Sequence, residues 1–244
     1  MAWGSLGAAV YWNGSYFMII LTGSTGGIGE SIIQPLSELD DVIATYNNTK
    51  PSDNKKSGIS YKKLNLKDKD EITSFSIDNK DKLSNITLIH FAVQSIDGLV
   101  ANYKESSWDS VMDINLKGNF LLTQSLIPTM IADQFGRIVH ISSVVGQNGK
   151  TGTLAYAVSK TGLLGMSKVL AKEYGRFNIT SNILNLGYFN VGLINSLAED
   201  KLKQIEDQIP SKKLGEVSNI VNAIRFIMKS DYVNGSVINI DGGI

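Results

Sequence analysis

A phenol and an ammonium four residues apart are the first groups in this chain able to do chemistry together. Tyr156-Ala157-Val158-Ser159-Lys160 opens a stretch, Tyr156–Tyr174, with the apolar spacing of a helix. Four residues make just over one helical turn, so both side chains share a face, about 6 Å apart along the axis. A tyrosine of pKa about 10 moves protons poorly near neutrality unless a nearby cation favours its anion, and Lys160 is such a cation. Ser143 stands thirteen residues before Tyr156, just after the apolar run Ile138–Ile141. Ligands of parallel sheets collect beyond the carboxyl ends of strands, where that hydroxyl should lie. Asn115 is a polar amide in the apolar helical stretch Trp108–Met130, and it either satisfies local backbone or holds a water. Each has a bland alternative: an amphipathic helix pairs Tyr and Lys by chance, and serine is common in turns.

A second chemical feature precedes these. Thr22-Gly23-Ser24-Thr25-Gly26-Gly27-Ile28-Gly29 lies between the apolar run Met18–Leu21 and a helical pattern from Ile28 to Leu39. Glycine there permits a tight turn, close approach of backbone to a pyrophosphate and close packing of helix on strand. The free N–H groups of the helix start then face the anion.

These groups need elements to hold them. Apolar or β-branched runs at Met18–Leu21, Val42–Tyr46, Ile59–Leu66, Leu88–Val93, Ile138–Ile141, Ile179–Leu186 and Val237–Ile240 read as strands. Helix-length segments separate them: Asp68–Phe75, Trp108–Met130, Tyr156–Tyr174, Leu193–Gln208 and Val217–Met228. Short strands alternating with helices predict an α/β fold, one doubly wound Rossmann domain of about seven parallel strands with helices on both faces. Residues 1–17 read as an N-terminal extension of unknown role, without the positive n-region of a signal peptide. Residues 18–244 then form the dinucleotide-binding domain, with a short substrate lid near residues 188–210.

Composition removes several function classes. Among 244 residues, 23 Lys plus Arg balance 23 Asp plus Glu, a poor match to a phosphate backbone, so no nucleic-acid partner is expected. The absence of cysteine excludes thiolate metal sites and a cysteine nucleophile, and two histidines, His90 and His140, cannot build a multi-histidine centre; no metal is expected. No run reaches the about 18 apolar residues of a membrane span, so a cytoplasmic protein without a membrane partner is expected.

Taken together, the Thr-Gly-x-x-x-Gly-x-Gly spacing, the set Asn115, Ser143, Tyr156 and Lys160, Asn185-Leu186-Gly187, Ile209-Pro210 with Gly215-Glu216, and the terminal Asp241-Gly242-Gly243 resemble the short-chain dehydrogenase/reductase family, from Met18 to Ile244. The pattern is most similar to 3-oxoacyl-(acyl carrier protein) reductase-like members. The resemblance implies hydride transfer between a nicotinamide and a ketone or secondary alcohol. It gives Tyr156 the part of general acid/base and has Ser143 steady the substrate oxygen. Lys160 would lower the tyrosine pKa and hold the nicotinamide ribose, and Asn115 would keep a water in the proton relay. It also implies cofactor contacts at Gly23, Ser24, Thr25, Gly27, Ile28, Gly29, Tyr46, Asn47, Asn65, Leu66, Ala92, Tyr156, Lys160 and Gly187, and assembly as a homotetramer or dimer through the two long helices and the C-terminal strand.

Several positions depart from the family pattern. Asn-Asn-Ala-Gly reads His90-Phe91-Ala92-Val93 here, Asn65 replaces a frequent Asp, Leu186 a Pro and Val191 a Thr. Tyr46-Asn47-Asn48 carries no acid to select a ribose 2′-hydroxyl, which tips the cofactor to NADP(H) over NAD(H), although Gly26 stands where NADP-preferring relatives carry a base. The two arginines that dock an acidic carrier protein are Gln134 and Phe177 here, with Arg137 and Arg176 nearby. The competing reading is a non-catalytic dinucleotide sensor or scaffold on the same fold, which would have no use for the proton-transfer residues. A nucleotide-sugar epimerase shares Tyr-x-x-x-Lys but needs a longer chain.

Overall fold

The structure, a computed structural model, describes residues 16–52, 57–192, 194 and 198–244. Seven strands alternate with helices along the chain: β1 (Met18–Leu21), α1 (Gly27–Ser37), β2 (Asp41–Tyr46), β3 (Ile59–Lys63), α2 (Lys69–Asp78), β4 (Ile86–His90), α3 (Glu105–Met112), α4 (Gly118–Asp133), β5 (Gly136–Ser143), α5 (Val144–Asn148), α6 (Leu154–Tyr174), β6 (Ile179–Leu186), α7 (Glu199–Gln208), α8 (Val217–Lys229) and β7 (Val237–Ile240). All pairings are parallel and the order is β3-β2-β1-β4-β5-β6-β7. This is the doubly wound α/β domain expected.

Burial explains the strand compositions. β1, β4 and β6 are buried along their whole length; β1 is a continuous apolar run, as a sheet covered on both faces favours, whereas β6 also buries Thr180, Ser181, Asn182 and Asn185. The edge strand β3 is only half-buried, which accounts for its looser alternation and for its ending at Lys63, not Leu66. One apolar cluster lies under α1 and α8, around Ile32, Leu36, Val139, Leu184, Ile220 and Ile224. The other lies under α2 and α4, around Ile72, Phe75, Leu88, Leu122, Leu126 and Ile138. Burying such side chains removes each from water at a gain of about 1.5–3 kcal/mol, the term that holds both helical layers on the sheet.

Two boundaries differ from the sequence reading in ways that matter. Trp108–Met130 is not one helix: α3 and α4 are joined by a π-helical turn, Asp113–Lys117, centred on Asn115. Periodicity alone cannot reveal one extra residue in a helical turn. The predicted helix Leu193–Gln208 begins only at Glu199, and residues 193 and 195–197 lie outside the described residues. At the other end, Phe17 packs edge-on against Phe135 with ring centroids 5.2 Å apart, and the Tyr16 carbonyl accepts a hydrogen bond from Asn85 at 2.8 Å, so the ordered body starts at least two residues before Met18. Residues 1–15 of the expected extension lie outside the described residues.

Candidate active site

The strand order reverses between β1 and β4, and the crevice there is where doubly wound sheets take their ligands. The glycine loop follows β1 into this crevice. Gly23 has φ of +69°, and a Cβ on it would come within 2.6 Å of the Ala92 Cα after β4, so both conformation and contact demand glycine. Gly26 precedes α1 without a side-chain cap, leaving the first-turn N–H groups of an eleven-residue helix directed at the crevice. Here the backbone, not the Ser24 side chain, would face a phosphate, since the Ser24 hydroxyl is committed to the Thr45 carbonyl at 3.0 Å. Gly27 sits at the helix start within a close approach of Gly192, the residue after Val191.

Thr22 does work the sequence reading did not assign to it. Its hydroxyl accepts from the Phe91 and Ala92 N–H groups, both at 3.0 Å, and so ties the end of β1 to the turn after β4. That turn is the His90-Phe91-Ala92-Val93 departure. Phe91 is buried in the cluster under α1, whereas Val93 is 52% exposed and intrudes on nothing in the core. Of the remaining expected cofactor positions, Leu66 turns its side chain into the core and offers only backbone. Asn65 bends onto its own segment, accepting from the Lys67 N–H at 3.1 Å while its own N–H donates to Glu71 at 2.8 Å. Tyr46 and Asn47 stand half-buried at the end of β2. Gly187 is forced by packing, since a Cβ would lie 2.7 Å from the Asp241 Cα. Gly242 in turn lies against Ile209 and Ser211, and its carbonyl accepts from the Ser211 N–H at 3.1 Å, so the three motifs meet at this point.

Across the crevice, Ser143 ends β5 and caps α5, its hydroxyl accepting from the Val145 N–H at 3.2 Å. Tyr156 on α6 stands near enough to Ser143 for that hydroxyl to act on the phenol, drawing its pKa down against the burial that raises it. The Lys160 Nζ donates to the Ile141 carbonyl at 2.6 Å and lies 5.6 Å from the centre of the Tyr156 ring. Burial draws the Lys160 pKa down to about 8, which still leaves it an ammonium at neutral pH. One expectation is corrected here: the phenol of Tyr156 is not lowered. Burial raises it, with the Ser143 hydroxyl pulling the other way, because the ammonium turns to the Ile141 carbonyl and not to the phenol oxygen.

Asn115 is fully buried, and its amide is already occupied. It accepts from the Gln94 N–H at 2.8 Å and donates to the Gln94 carbonyl at 2.9 Å and to the Ser159 hydroxyl at 3.0 Å. Ser159 in turn donates to the Tyr156 carbonyl at 2.7 Å. Of the two sequence alternatives, backbone satisfaction is what its side chain does: the π-helical turn aims it at the loop after β4 and at α6, bracing the helix that carries Tyr156 and Lys160. Ser159 and Gln94 were missed. Ser159 lies inside the Tyr-x-x-Ser-Lys run, but a hydroxyl there carries no distinguishing signal, and nothing marks Gln94 at all.

Beneath this group lie the two histidines. His90 and His140 are cross-strand neighbours, fully buried and stacked with centroids 5.2 Å apart and planes 8° from parallel. Nε2 of His90 meets the Thr123 hydroxyl at 2.9 Å and Nε2 of His140 the Ser181 hydroxyl at 3.2 Å. Burial, reinforced by the Lys160 charge, pulls His140 down to about 3 and His90 well below its usual value, so both are neutral. Among the described residues no cluster of acids or histidines suits a metal ion, and no helix is long and apolar enough to cross a membrane.

A parallel sheet with a glycine turn at its reversal point, facing a half-buried Tyr156 beside a buried Lys160 and a strand-end serine, defines an NAD(P)-dependent oxidoreductase of Rossmann type. The chain belongs to the short-chain dehydrogenase family, whose sequence profile, described as short chain dehydrogenase, matches residues 18–202. It is 31% identical to the protein named 3-oxoacyl-[acyl-carrier-protein] reductase FabG from Rickettsia bellii, an alignment covering 92% of this chain and 95% of the relative. The protein of the same name from Haemophilus influenzae is 31% identical over 92% of this chain and 96% of its own length. That from Thermotoga maritima is 37% identical over 74% and 75%.

Proposed function

We propose that the protein reduces the ketone of a 3-oxoacyl-type substrate with NADPH, using Ser143, Tyr156 and Lys160 for the proton chemistry. The observation that carries this is Tyr156 set beside the strand-end Ser143, with the Lys160 ammonium 5.6 Å from the centre of its ring. Burial raises the phenol, so it carries its proton at neutral pH, the form that reduction requires of its donor. The residues present fit a dinucleotide: the uncapped helix start and the Gly23 turn against Ala92 leave a backbone cradle for a pyrophosphate. The nicotinamide, when bound, supplies the hydride.

The chain's own groups do the rest. Ser143 donates to the substrate oxygen and stabilises the charge that grows there, and Tyr156 passes its proton to the same oxygen. The buried ammonium of Lys160 is placed to hold the nicotinamide ribose. Asn115, through Ser159 and Gln94, fixes the helix start from which both act. NADPH is the donor because Tyr46-Asn47-Asn48 presents no carboxylate to a 2′-phosphate. The substrate class follows the names of the relatives. Carrier-protein docking through Arg137 is not part of the proposal, since that guanidinium is 3% exposed and bound to the Gly136 and Asn178 carbonyls. The working form is a homo-oligomer, supported by the exposed apolar side chains Phe120 on α4 and Val158 and Val169 on α6.

The test follows NADPH oxidation with an acetoacetyl thioester by the wild type and by Tyr156→Phe. The variant should lose about 10²–10⁴-fold in turnover while binding NADPH as before. Equal turnover would remove Tyr156 from the mechanism, and NADPH binding without turnover by the wild type on any ketone would favour the sensor reading.

A further inference from the structure

We propose that Lys63, on the edge strand β3, is the residue that distinguishes NADPH from NADH, by pairing with the 2′-phosphate of the adenosine ribose; this rests on the NADPH reading above. In dinucleotide folds that ribose lies at the carboxyl end of the second strand, where an acid commonly receives the 2′-hydroxyl. Here the end of β2 is Tyr46, and its register partner on β3 is Lys63. The ladder is intact at this point, for the Leu64 N–H donates to the Tyr46 carbonyl at 2.8 Å. Lys63 is therefore fixed about 4.8 Å from the backbone of Tyr46, one residue before Asn47.

The pleat decides which way it faces. Val42 and Ala44 of β2, and Ile59 and Tyr61 of β3, pack in the apolar cluster beneath α1. Side chains alternate along a strand, so Tyr46 and Lys63 continue the same two rows and stand on the α1 face, on the side of the glycine loop. Lys62 belongs to the opposite row with Leu64, which packs in the cluster beneath α2.

The charges around this point leave the phosphate to Lys63. Tyr46, Asn47 and Asn48 are uncharged, and Gly26 contributes no base from the loop. Lys63 is exposed and forms no ion pair with any carboxylate among the described residues. The acid on this side is Glu30 of α1, whose charge acts on Tyr61, one pleat repeat or about 7 Å back from Lys63 along β3. A lysine of this kind meets a dianionic phosphate as a point charge at the solvent edge, so the discrimination should be moderate and sensitive to salt.

The test titrates NADPH and NADH separately, by nucleotide fluorescence, into the wild type, Lys63→Met and Lys62→Met at two salt concentrations. Lys63→Met should raise the Kd for NADPH about three- to tenfold and leave that for NADH within about twofold, with Lys62→Met changing neither. Lys63→Arg should restore NADPH binding. Added salt should narrow the difference between wild type and Lys63→Met. A wild type that prefers NADPH with a Lys63→Met variant of unchanged preference would overturn the assignment, as would equal weakening of both nucleotides. A wild type that prefers NADH would overturn the NADPH reading itself. Both lysines lie on an edge strand, Lys62 half-buried and Lys63 exposed, and melting curves check that each variant is folded before it is titrated.

Discussion

Lys160 is held where a charge is least comfortable. Its folded pKa of about 8 lies below the ordinary value of 10.5, so the native state binds that proton more weakly than the unfolded chain does. The sign follows directly: below pH 8 the buried charge opposes folding, and the opposition fades as pH climbs from 8 towards 10.5. A shift of this size corresponds to roughly 3 kcal/mol at neutral pH, partly offset by the bond to the Ile141 carbonyl. Lys160→Met should therefore melt at a higher temperature than the wild type at pH 7 while losing turnover, and the gap in melting temperature should close by pH 10. A variant less stable than the wild type at pH 7 would mean that the carbonyl bond outweighs desolvation. Retention of this lysine against a stability gain is what a functional role predicts. The pair Tyr156 and Lys160 was legible because spacing fixes relative position on a helix. The direction in which the ammonium points was not, because that depends on the Ile141 carbonyl of another strand.

The elements show the same division between what pattern reveals and what contact decides. Strands β1, β6 and β7 match the sequence reading residue for residue, since each is a segment rich in Ile, Leu or Val bounded by turn residues. The π-helical turn around Asn115 was invisible, because a single extra residue leaves the apolar periodicity on either side intact. Likewise Thr22 lay within the motif, yet its bond to the turn after β4 depends on a pairing between strands that are distant in the chain. The paired strands β4 and β5 carry their own pH dependence. His140 is depressed to about 3 and His90 well below 6.5, so each contributes stability that is complete above pH 6.5 and is lost as pH falls below it, when the unfolded chain takes up protons the native core refuses. Urea unfolding should show stability dropping steadily between pH 6.5 and 4, and a double His90→Asn, His140→Gln variant should flatten that slope even if it is less stable at pH 7. An unchanged slope would assign acid sensitivity to carboxylates instead.

At the scale of the molecule, α4 and α6 both pack into the cluster on one face of the sheet, and Phe120, Val158 and Val169 project from them at 46%, 39% and 51% exposure. Apolar side chains of that size standing out of two helices on one face are expected to be covered by a second copy. Light scattering at micromolar concentration should give a mass of two or four chains, and Val169→Glu combined with Phe120→Glu should reduce it to one. A wild type that scatters as a single chain would refute the assembly while leaving the chemistry of the cleft untouched. The neutral charge balance and the doubly wound topology were readable from composition and alternation; the surface that joins copies was not, because an exposed valine and a buried one look alike in a helical pattern.

Because every strand runs the same way, Tyr16 and Phe17 anchor the chain at the floor of the sheet, whereas Ser143 and the glycine turn crown its opposite rim. Ile244 ends just past the Asp241 turn that backs Gly187, on the crowded rim. An affinity handle or a tether to a solid support placed upstream of Tyr16 would therefore hold the molecule by its base with the mouth facing outward, whereas the same attachment at the carboxyl end would crowd the doorway.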